Sequence, residues 1–403
     1  MFEGVAVKGP LAGLLIGALA GIFAPVSAVR AAEDDMATLR AVSLLFRHGV
    51  ISPKYNLPKA KAEWPMGFMQ LTSIGMRDMY ERGQSLRAKY VDRLGLISPA
   101  YRSNEVYVRA SNTDRALQTA QLLVLGLYPL GTGPDPAIYN AALTPVPAPG
   151  QAFTAVPIHS VALENDKVLR PWTGQANCRK YRSYVNSFPK SRLYKAVAKK
   201  HEAFLKRIAA ATGVNEKKRP ARILYEVNEI YEPLSSMVAH KMPLPPGIST
   251  EDLQKISALS DWNYNYQFLG KEVGRLTGGP FIKEVLDNFD SYVLLRGKGR
   301  RFFLYSGHQR TLLGVDAALS IEKARTKGEL FVGRIPPLGS HYAFELHELA
   351  PDRFAIRVKF VTDEGEQTFL VPGCDSALCP IETFRKAVAQ TIPENWAKEC
   401  AAS

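Results

Sequence analysis

The sequence predicts an α/β protein with a mainly parallel central sheet, flanked by helices and carrying a helical cap as an insertion. Two observations support this fold class. Three short apolar strands are each followed directly by basic residues and then by a turn or helix, and strands that alternate with helices are typical of a mainly parallel sheet. The chain has 403 residues and is 46% hydrophobic and 22% charged, which is the composition of a folded globular protein.

The three predicted strands end in basic residues. They cover Ala41–Phe46, Glu105–Val108 and Arg301–Tyr305, and they lead into Arg47-His48-Gly49, Arg109-Ala110-Ser111 and Ser306-Gly307-His308-Gln309. Ligands of such sheets bind outside the carboxyl ends of the strands. We therefore expect four basic side chains to meet in one pocket, namely Arg47, His48, Arg109 and His308.

Helices follow the second and third strands. One is predicted over Asn112–Leu125, with Ser111 or Asn112 as its N-cap. Its buried side is predicted at or near Leu117, Leu122 and Leu125. The other runs from about Thr311 to Leu319. Helix N-termini at this edge add backbone N–H donors and positive potential, so the pocket suits an anion and above all a phosphate.

The segment 161–285 is predicted to be a mostly helical cap over the strand ends. It has helical patterns over Tyr194–Ala211 and Ile223–His240, and it breaks at Met242–Gly247. Residues 33–160 and 286–403 then form the α/β core. Substrate selectivity is expected in the cap, because insertions over a rigid core often carry binding residues.

The N-terminus predicts export. Residues 9–29 form an apolar run behind Lys8, and small residues follow up to Ala32. This pattern is typical of a cleaved secretory signal over residues 1–32, which we favour over an uncleaved membrane anchor. The absence of a central stretch of 18 or more apolar residues excludes a polytopic membrane protein. The protein is therefore expected to be periplasmic or secreted, without membrane association after cleavage.

The four cysteines fit an exported protein. A short disulfide between Cys374 and Cys379 would close a turn, and Cys178 would then pair with Cys400 over a long loop. This is one of three possible connectivities, and four reduced core thiols are the alternative. A zinc site is disfavoured, because no pair of histidines stands at ligand spacing near these cysteines.

The predicted pocket has the side chains that phosphoryl transfer needs. Two guanidinium groups match the oxygens of a phosphoryl group. A neutral imidazole can attack phosphorus and hold the group as a phosphohistidine, while a second, protonated imidazole donates to the oxygens on which charge builds. A general acid must then protonate the leaving alkoxide.

Five segments of the chain, in order, form a recognisable set of motifs. The first is Phe46-Arg47-His48-Gly49, followed by Ser52-Pro53. The other segments are Trp64–Thr72, Val106–Arg115, Tyr305–His308, and a closing segment that contains Pro372–Pro380 and Asn395–Cys400. Together they resemble the histidine acid phosphatases of the prostatic and lysosomal type, a branch of the histidine phosphatase superfamily whose signature is Arg-His-Gly. The likeness covers almost the whole chain after the predicted signal.

The resemblance implies an acid phosphatase that hydrolyses phosphate monoesters through a phosphohistidine on His48. It assigns phosphate binding and transition-state stabilisation to Arg47, Arg109 and His308. It also implies an α/β core with a helical cap, no metal or other cofactor, an acidic pH optimum and often a homodimer. The same resemblance pairs Cys178 with Cys400 and Cys374 with Cys379.

Two positions depart from the family pattern. Ile51 stands where the family usually has a third phosphate-binding arginine, and Gln309 stands where it has the aspartate that protonates the leaving group. Ile51 is predicted to be an apolar contact at the pocket mouth, which disfavours polyphosphates.

Gln309 bears on activity because an amide has no acidic proton to give. Three explanations are open. The residue is an introduced substitution that traps substrate, or it is natural and its role is covered by water, another carboxyl or a good leaving group. In the third, the protein is a catalytically impaired or non-enzymatic member that binds phosphorylated ligands. We favour an enzyme, because the other predicted site residues are in place.

Other interpretations of the basic residues are weaker. Arg109 could pair with Asp114 or Glu105, and Arg115 with Asp114 is interpreted as a helix-surface or structural pair. The formal net charge of +13 favours anionic partners. The densest basic run, Arg296–Arg301, is not interleaved with aromatic residues and accompanies no DNA-binding motif, so nucleic acid is not an expected partner.

Overall fold

The computed structural model describes residues 37–60, 62–133, 154–172, 178–214, 216–319 and 334–401. The predicted signal peptide at 1–32 lies outside these residues. Within them, no helix is long and apolar enough to cross a membrane.

The described residues form one eight-stranded sheet at the centre of the protein. Its strands are β1 (Leu39–Arg47), β2 (Val106–Ala110), β3 (Ile158–His159), β4 (Phe302–Gly307), β5 (His341–Ala350), β6 (Arg353–Thr362), β7 (Gly365–Phe369) and β8 (Cys379–Pro380). Their order is β3-β2-β4-β1-β5-β6-β7, and β8 pairs with β6.

Helices surround the sheet. Before β4 they are α1 (Ser73–Arg87), α2 (Asp114–Leu127), α3 (Arg179–Ser187), α4 (Arg192–Lys200), α5 (Glu202–Thr212), α6 (Pro220–Tyr225), α7 (Asn228–Ala239), α8 (Thr250–Gln267), α9 (Lys271–Thr277) and α10 (Gly279–Leu294). After β4 they are α11 (Gln309–Leu319), α12 (Ile381–Val388) and α13 (Trp396–Ala401).

The predicted α/β class is confirmed, but the sheet is partly parallel rather than mainly parallel, because its second half is antiparallel. Strands β3, β2, β4 and β1 are parallel to one another, whereas β5, β6 and β7 are antiparallel. The difference follows from the connections. Helical crossovers join the parallel strands, while short turns join β5 to β6 and β6 to β7, and a short turn can only reverse the chain.

Strand β1 lies at the centre of the core because both of its faces are covered. Val42, Leu44 and Phe46 belong to the apolar cluster that contains residues of α1 and α2. Ala41 and Leu45 alternate with them and belong to the cluster that contains residues of α10 and α11. This burial on both sides holds the carboxyl end of β1 rigidly in place.

The middle of the chain is helical, but its helices are shorter than predicted. The pattern over Tyr194–Ala211 corresponds to α4 and α5, which are separated at His201, and the pattern over Ile223–His240 corresponds to α6 and α7. These helices share an apolar cluster of their own. Helix α10 runs across the predicted boundary at 285, and its buried residues belong to the apolar cluster of the sheet rather than to that of the helical segment. The division of the chain into core and cap stays a prediction.

Two disulfides are present, in the predicted pairs. Cys178 bonds Cys400 across 222 residues of chain and ties the start of α3 to α13. Cys374 bonds Cys379 across 5 residues. The longer disulfide therefore anchors the end of the chain to the helical middle segment.

Candidate active site

Neighbouring strand ends bring two histidines together. In the parallel pairing of β1 with β4, Arg47 lies opposite Gly307. His48 and His308 follow directly and leave the sheet side by side, with ring centroids 5.6 Å apart. Their backbones are fixed: His48 N–H donates to Gly307 O at 3.2 Å, and His308 N–H donates to Thr311 Oγ1 at 3.1 Å.

The ring of His48 is held as a neutral nucleophile. Its Nδ1 lies 3.0 Å from Gly49 O. Because a carbonyl oxygen can only accept, Nδ1 carries the proton and Nε2 keeps its lone pair. Only 3% of the residue is exposed. Burial first, and then the charges of Arg115 and Arg47, hold the pKa of His48 well below its usual range.

His308 is neutral for a similar reason. Arg115 Nη2 donates to its Nδ1 at 3.3 Å, and a guanidinium has no lone pair to accept with. The proton therefore sits on Nε2, which donates to Ser111 Oγ at 3.1 Å. Burial, followed by the charge of Arg115, holds the pKa of His308 well below its usual range.

A cavity opens in front of these strand ends. Its polar wall includes Arg47, His48, Arg115, Glu232 and Gln309. Its apolar wall comprises Val50, Ile51, Pro53, Met69, Ala239 and Leu338. The buried Nε atoms of Arg47 and Arg115 have no hydrogen-bond partner among the described residues. A buried donor without a partner is costly, so two such atoms at one cavity favour an anionic ligand.

Arg109 is engaged elsewhere. Its Nη2 donates to Oδ1 of the fully buried Asp166 at 2.8 Å, and its Nη1 lies 3.7 Å from Glu284 Oε1. Neither Arg109 nor His308 is among the residues that line the cavity. Of the four basic residues expected in one pocket, Arg47 and His48 line it, His308 lies behind them with its ring beside that of His48, and Arg109 is held in a buried ion pair.

The arrangement matches a known family. Residues 28–361 fit the sequence model of the histidine phosphatase superfamily (branch 2).

The chain belongs to this family.

Lysosomal acid phosphatase of Xenopus laevis is 28% identical over 402 residues, which is 98% of this chain and 84% of that protein. Prostatic acid phosphatase of Homo sapiens is 28% identical over 375 residues, which is 90% of this chain and 88% of that protein.

Solved structures in the superfamily share the fold. The Klebsiella sp ASR1 phytase superposes with a TM-score of 0.65 at 18% identity, over 91% of this chain and 96% of that one. The Hafnia alvei phytase in complex with tartrate gives 0.62 at 17% identity, over 90% and 98%. At these identities the likeness concerns the fold alone.

Both departures from the histidine phosphatase pattern lie at the cavity. Ile51 lines its apolar side. Gln309, the first residue of α11, donates from Nε2 to Tyr264 Oη at 3.3 Å and to Glu232 Oε1 at 3.5 Å. The side chain at position 309 is therefore hydrogen-bonded to a carboxyl group on α7.

Two charged residues of the cavity wall, Arg115 and Glu232, were missed from the sequence. Arg115 lies in the first turn of α2, where a positive charge opposes the helix dipole and acidic residues are preferred. This unfavourable charge is the sequence signal that could have singled out Arg115. Its predicted partner Asp114 accepts instead from Gln70. Glu232 reaches the cavity only through packing of α7 on the core, which no local pattern reveals.

Proposed function

We propose that this histidine phosphatase hydrolyses phosphate monoesters through a phosphohistidine on His48. The observation that carries the proposal is the meeting of His48, Arg47 and Arg115 on one cavity wall, with the ring of His308 5.6 Å from that of His48. A lone pair on an imidazole beside two guanidinium groups is the set that attack on a phosphoryl group needs.

Each side chain has a definite part in the proposed reaction. Nε2 of His48 attacks phosphorus, while Arg47 and Arg115 donate to the phosphoryl oxygens. A bound phosphate dianion favours the charged form of nearby imidazoles and raises the pKa of His308. His308 then becomes a cationic donor to the same oxygens. In this scheme Arg115, rather than Arg109, supplies the second guanidinium.

The cavity walls favour a monoester whose organic group is small or apolar. Ile51 and its neighbours on the apolar wall offer no charge to a second phosphate. Met66 and Phe68 precede Met69 in the same loop and are 50% and 45% exposed, which suits an apolar organic group. An Ile51→Arg change is expected to improve hydrolysis of inositol hexakisphosphate relative to a simple monoester, and no gain would contradict this preference.

Export is part of the proposal. It is supported by the apolar N-terminal segment and by two disulfides, which persist in oxidising compartments. The periplasm and the extracellular space both fit.

The decisive experiment compares an aryl and an alkyl phosphate near pH 5. The purified protein should release phosphate from 4-nitrophenyl phosphate, and rapid alkaline quenching should trap phosphohistidine at position 48. His48→Ala should abolish both signals, whereas His201→Ala, at the junction of α4 and α5, should leave them intact. Phosphate binding without turnover of either ester would instead identify a protein that binds phosphorylated ligands. The absence of an acidic side chain at position 309 is consistent with that alternative.

A further inference from the structure

The departing alcohol lacks an obvious proton source. An alkoxide is a poor leaving group unless it is protonated as the phosphorus–oxygen bond breaks. Gln309 can donate a hydrogen bond to the leaving oxygen but cannot give up a proton. This inference rests on the proposed function and concerns the group that covers that gap.

Glu232 is the one carboxyl group among the described residues that line the cavity. It lies on α7, and its Oε1 accepts from Gln309 Nε2 at 3.5 Å. The carboxyl therefore stands one hydrogen bond away from the position at which the family resemblance places an aspartate. We propose that Glu232 is the general acid that protonates the leaving oxygen.

The hydrogen bonds around Gln309 indicate which oxygen of Glu232 holds the proton. The Gln309 amide donates one hydrogen to Glu232 Oε1 and the other to Tyr264 Oη. Oε1 is thus occupied as an acceptor, and we assign the acidic proton to Oε2.

The surroundings allow a protonated carboxyl at mildly acidic pH. Burial raises the pKa of Glu232 and outweighs the cations that face it. These are Arg47 from β1, Arg310 from α11, Arg115 from α2, and Lys54. The phenols of Tyr264, from α8, and of Tyr55, from the loop after β1, face the same group. A phosphate dianion in the cavity raises the pKa of Glu232 further, so the acid form is favoured when substrate is bound.

Glu232 acts in both halves of the reaction. His48 Nε2 forms the bond to phosphorus, the bond between phosphorus and the ester oxygen breaks, and that oxygen takes the proton from Glu232 Oε2 and leaves as an alcohol. Glu232, now a carboxylate, accepts a proton from the water that attacks the phosphohistidine. The bond between nitrogen and phosphorus breaks, inorganic phosphate is released, and Glu232 is again an acid.

A counter-ion for the arginines is the competing role for Glu232. Loss of a counter-ion would weaken phosphate positioning for every ester alike. Loss of a general acid harms esters in proportion to the basicity of their leaving group. Single-turnover rates of leaving-group release, with enzyme in excess, separate the two because they isolate the first step.

The test compares Glu232→Gln, which keeps the side-chain shape, with Glu229→Gln, which makes the same change at an exposed position one turn earlier in α7. For Glu232→Gln we expect release of the alcohol from an alkyl phosphate to fall about 10²–10⁴-fold. Release of 4-nitrophenol should fall less than about tenfold, because that leaving group needs little protonation. Glu229→Gln should match the wild type on both esters.

The pH dependence gives a second readout. The wild-type alkyl rate should fall as pH rises and Glu232 loses its proton, whereas the residual alkyl rate of Glu232→Gln should lack this decline. Equal losses on both esters, or no loss on either, would overturn the proposal while leaving phosphohistidine chemistry intact. A wild type that hydrolyses neither ester would instead refute the proposed function, and this inference with it.

Discussion

Arg115 Nη2 donates to His308 Nδ1 across 3.3 Å and thereby joins the first turn of α2 to the end of β4. The contact ties a cation to an imidazole that must be neutral to accept it. An anion in the cavity would compete for the same guanidinium. When Arg115 turns to the anion, the lone pair of His308 is released, and the ring can take up a proton and become a second donor.

Arg115→Ala should therefore reduce activity strongly. Loss of one donor to developing charge typically costs about 10²–10³-fold in turnover, and we expect kcat/KM for 4-nitrophenyl phosphate to fall by this amount. Asp114→Asn changes the adjacent residue, which is exposed and accepts from Gln70, and should alter kcat/KM less than about threefold. Similar values for both variants would remove Arg115 from phosphate binding.

Arg109 should matter for stability rather than for turnover. Its partner Asp166 is fully buried and also accepts from Leu169 N–H at 3.0 Å. Removing one member of a buried ion pair leaves an uncompensated charge and costs about 3–5 kcal/mol. We expect Arg109→Met to lower the free energy of unfolding in urea by this amount, and Asp166→Leu in the same chain to recover part of the loss.

The kinetic control is decisive for Arg109. At a temperature at which Arg109→Met is folded, kcat/KM should stay within about threefold of the wild type. A loss as large as that of Arg115→Ala would instead support the phosphate-binding role that the family resemblance assigns to Arg109.

Arg109 and Arg115 illustrate how much of the site can be predicted from the sequence. Strand β2 and the helix after it are predicted from their apolar runs, but the helix begins at Asp114 with Thr113 as its N-cap, and the predicted caps Ser111 and Asn112 are wrong. The direction of the Arg109 side chain at the strand end cannot be predicted from the sequence in this way. Its ion-pair partner, Asp166, lies 57 residues further along the chain. Only the tertiary fold brings Asp166 to that face of the sheet.

The buried face of α2 is a second feature that the sequence predicts only approximately. The fully buried positions of α2 include Ala116, Leu123 and Leu127. The leucines predicted at or near the buried side, Leu117, Leu122 and Leu125, are half-buried, and Leu117 packs against the core. The buried face combines small residues such as Ala116 with leucines, so the spacing of large apolar residues does not give its exact position. Gly83 of α1 and Gly126 of α2 lie against each other where the two helices cross. Because glycine has no side chain, a hydrophobic pattern does not reveal this interface.

That crossing predicts a large effect from a small substitution. A Cβ atom added at Gly126 would lie 2.2 Å from Tyr80 O and 2.7 Å from Gln84 N, and backbone atoms cannot move aside cheaply. Gly126→Ala should destabilise the protein by at least about 1–3 kcal/mol, measured by urea unfolding. Ser85→Ala, at an exposed position of α1, should stay within about 0.5 kcal/mol. Equal stabilities would refute the close packing.

The buried histidines should make the fold less stable in acid. Burial is the largest cause that holds the pKa of His48, His308 and His341 well below the usual value of 6.5. Below that value the unfolded chain binds protons that the folded one does not. Each such group therefore stabilises the fold above pH 6.5, and the contribution is lost as pH falls, by up to about 1.4 kcal/mol per pH unit. Glu232, whose pKa is raised, partly offsets the loss.

His341 allows this effect to be measured away from the proposed chemistry. Its ring stacks on Phe46 with centroids 4.1 Å apart, so phenylalanine should fit in its place. Urea unfolding at pH 7, 6 and 5 should give a shallower loss of stability for His341→Phe than for the wild type, by up to about 1.4 kcal/mol per pH unit. Parallel curves would mean that His341 titrates alike in the folded and unfolded states.

Proton donation at position 309 should be restorable. Glu232→Gln removes the proposed acid, and adding Gln309→Asp places a carboxyl at the first residue of α11, one hydrogen bond away from the lost one. We expect this second change to return at least about tenfold of the alkyl phosphate rate that Glu232→Gln loses, with little effect on the aryl rate. Gln309→Asn, which shortens the side chain without adding an acid, is the matched control and should restore nothing. Recovery with asparagine as well as aspartate would show that side-chain length, and not a proton, limits the reaction at this position.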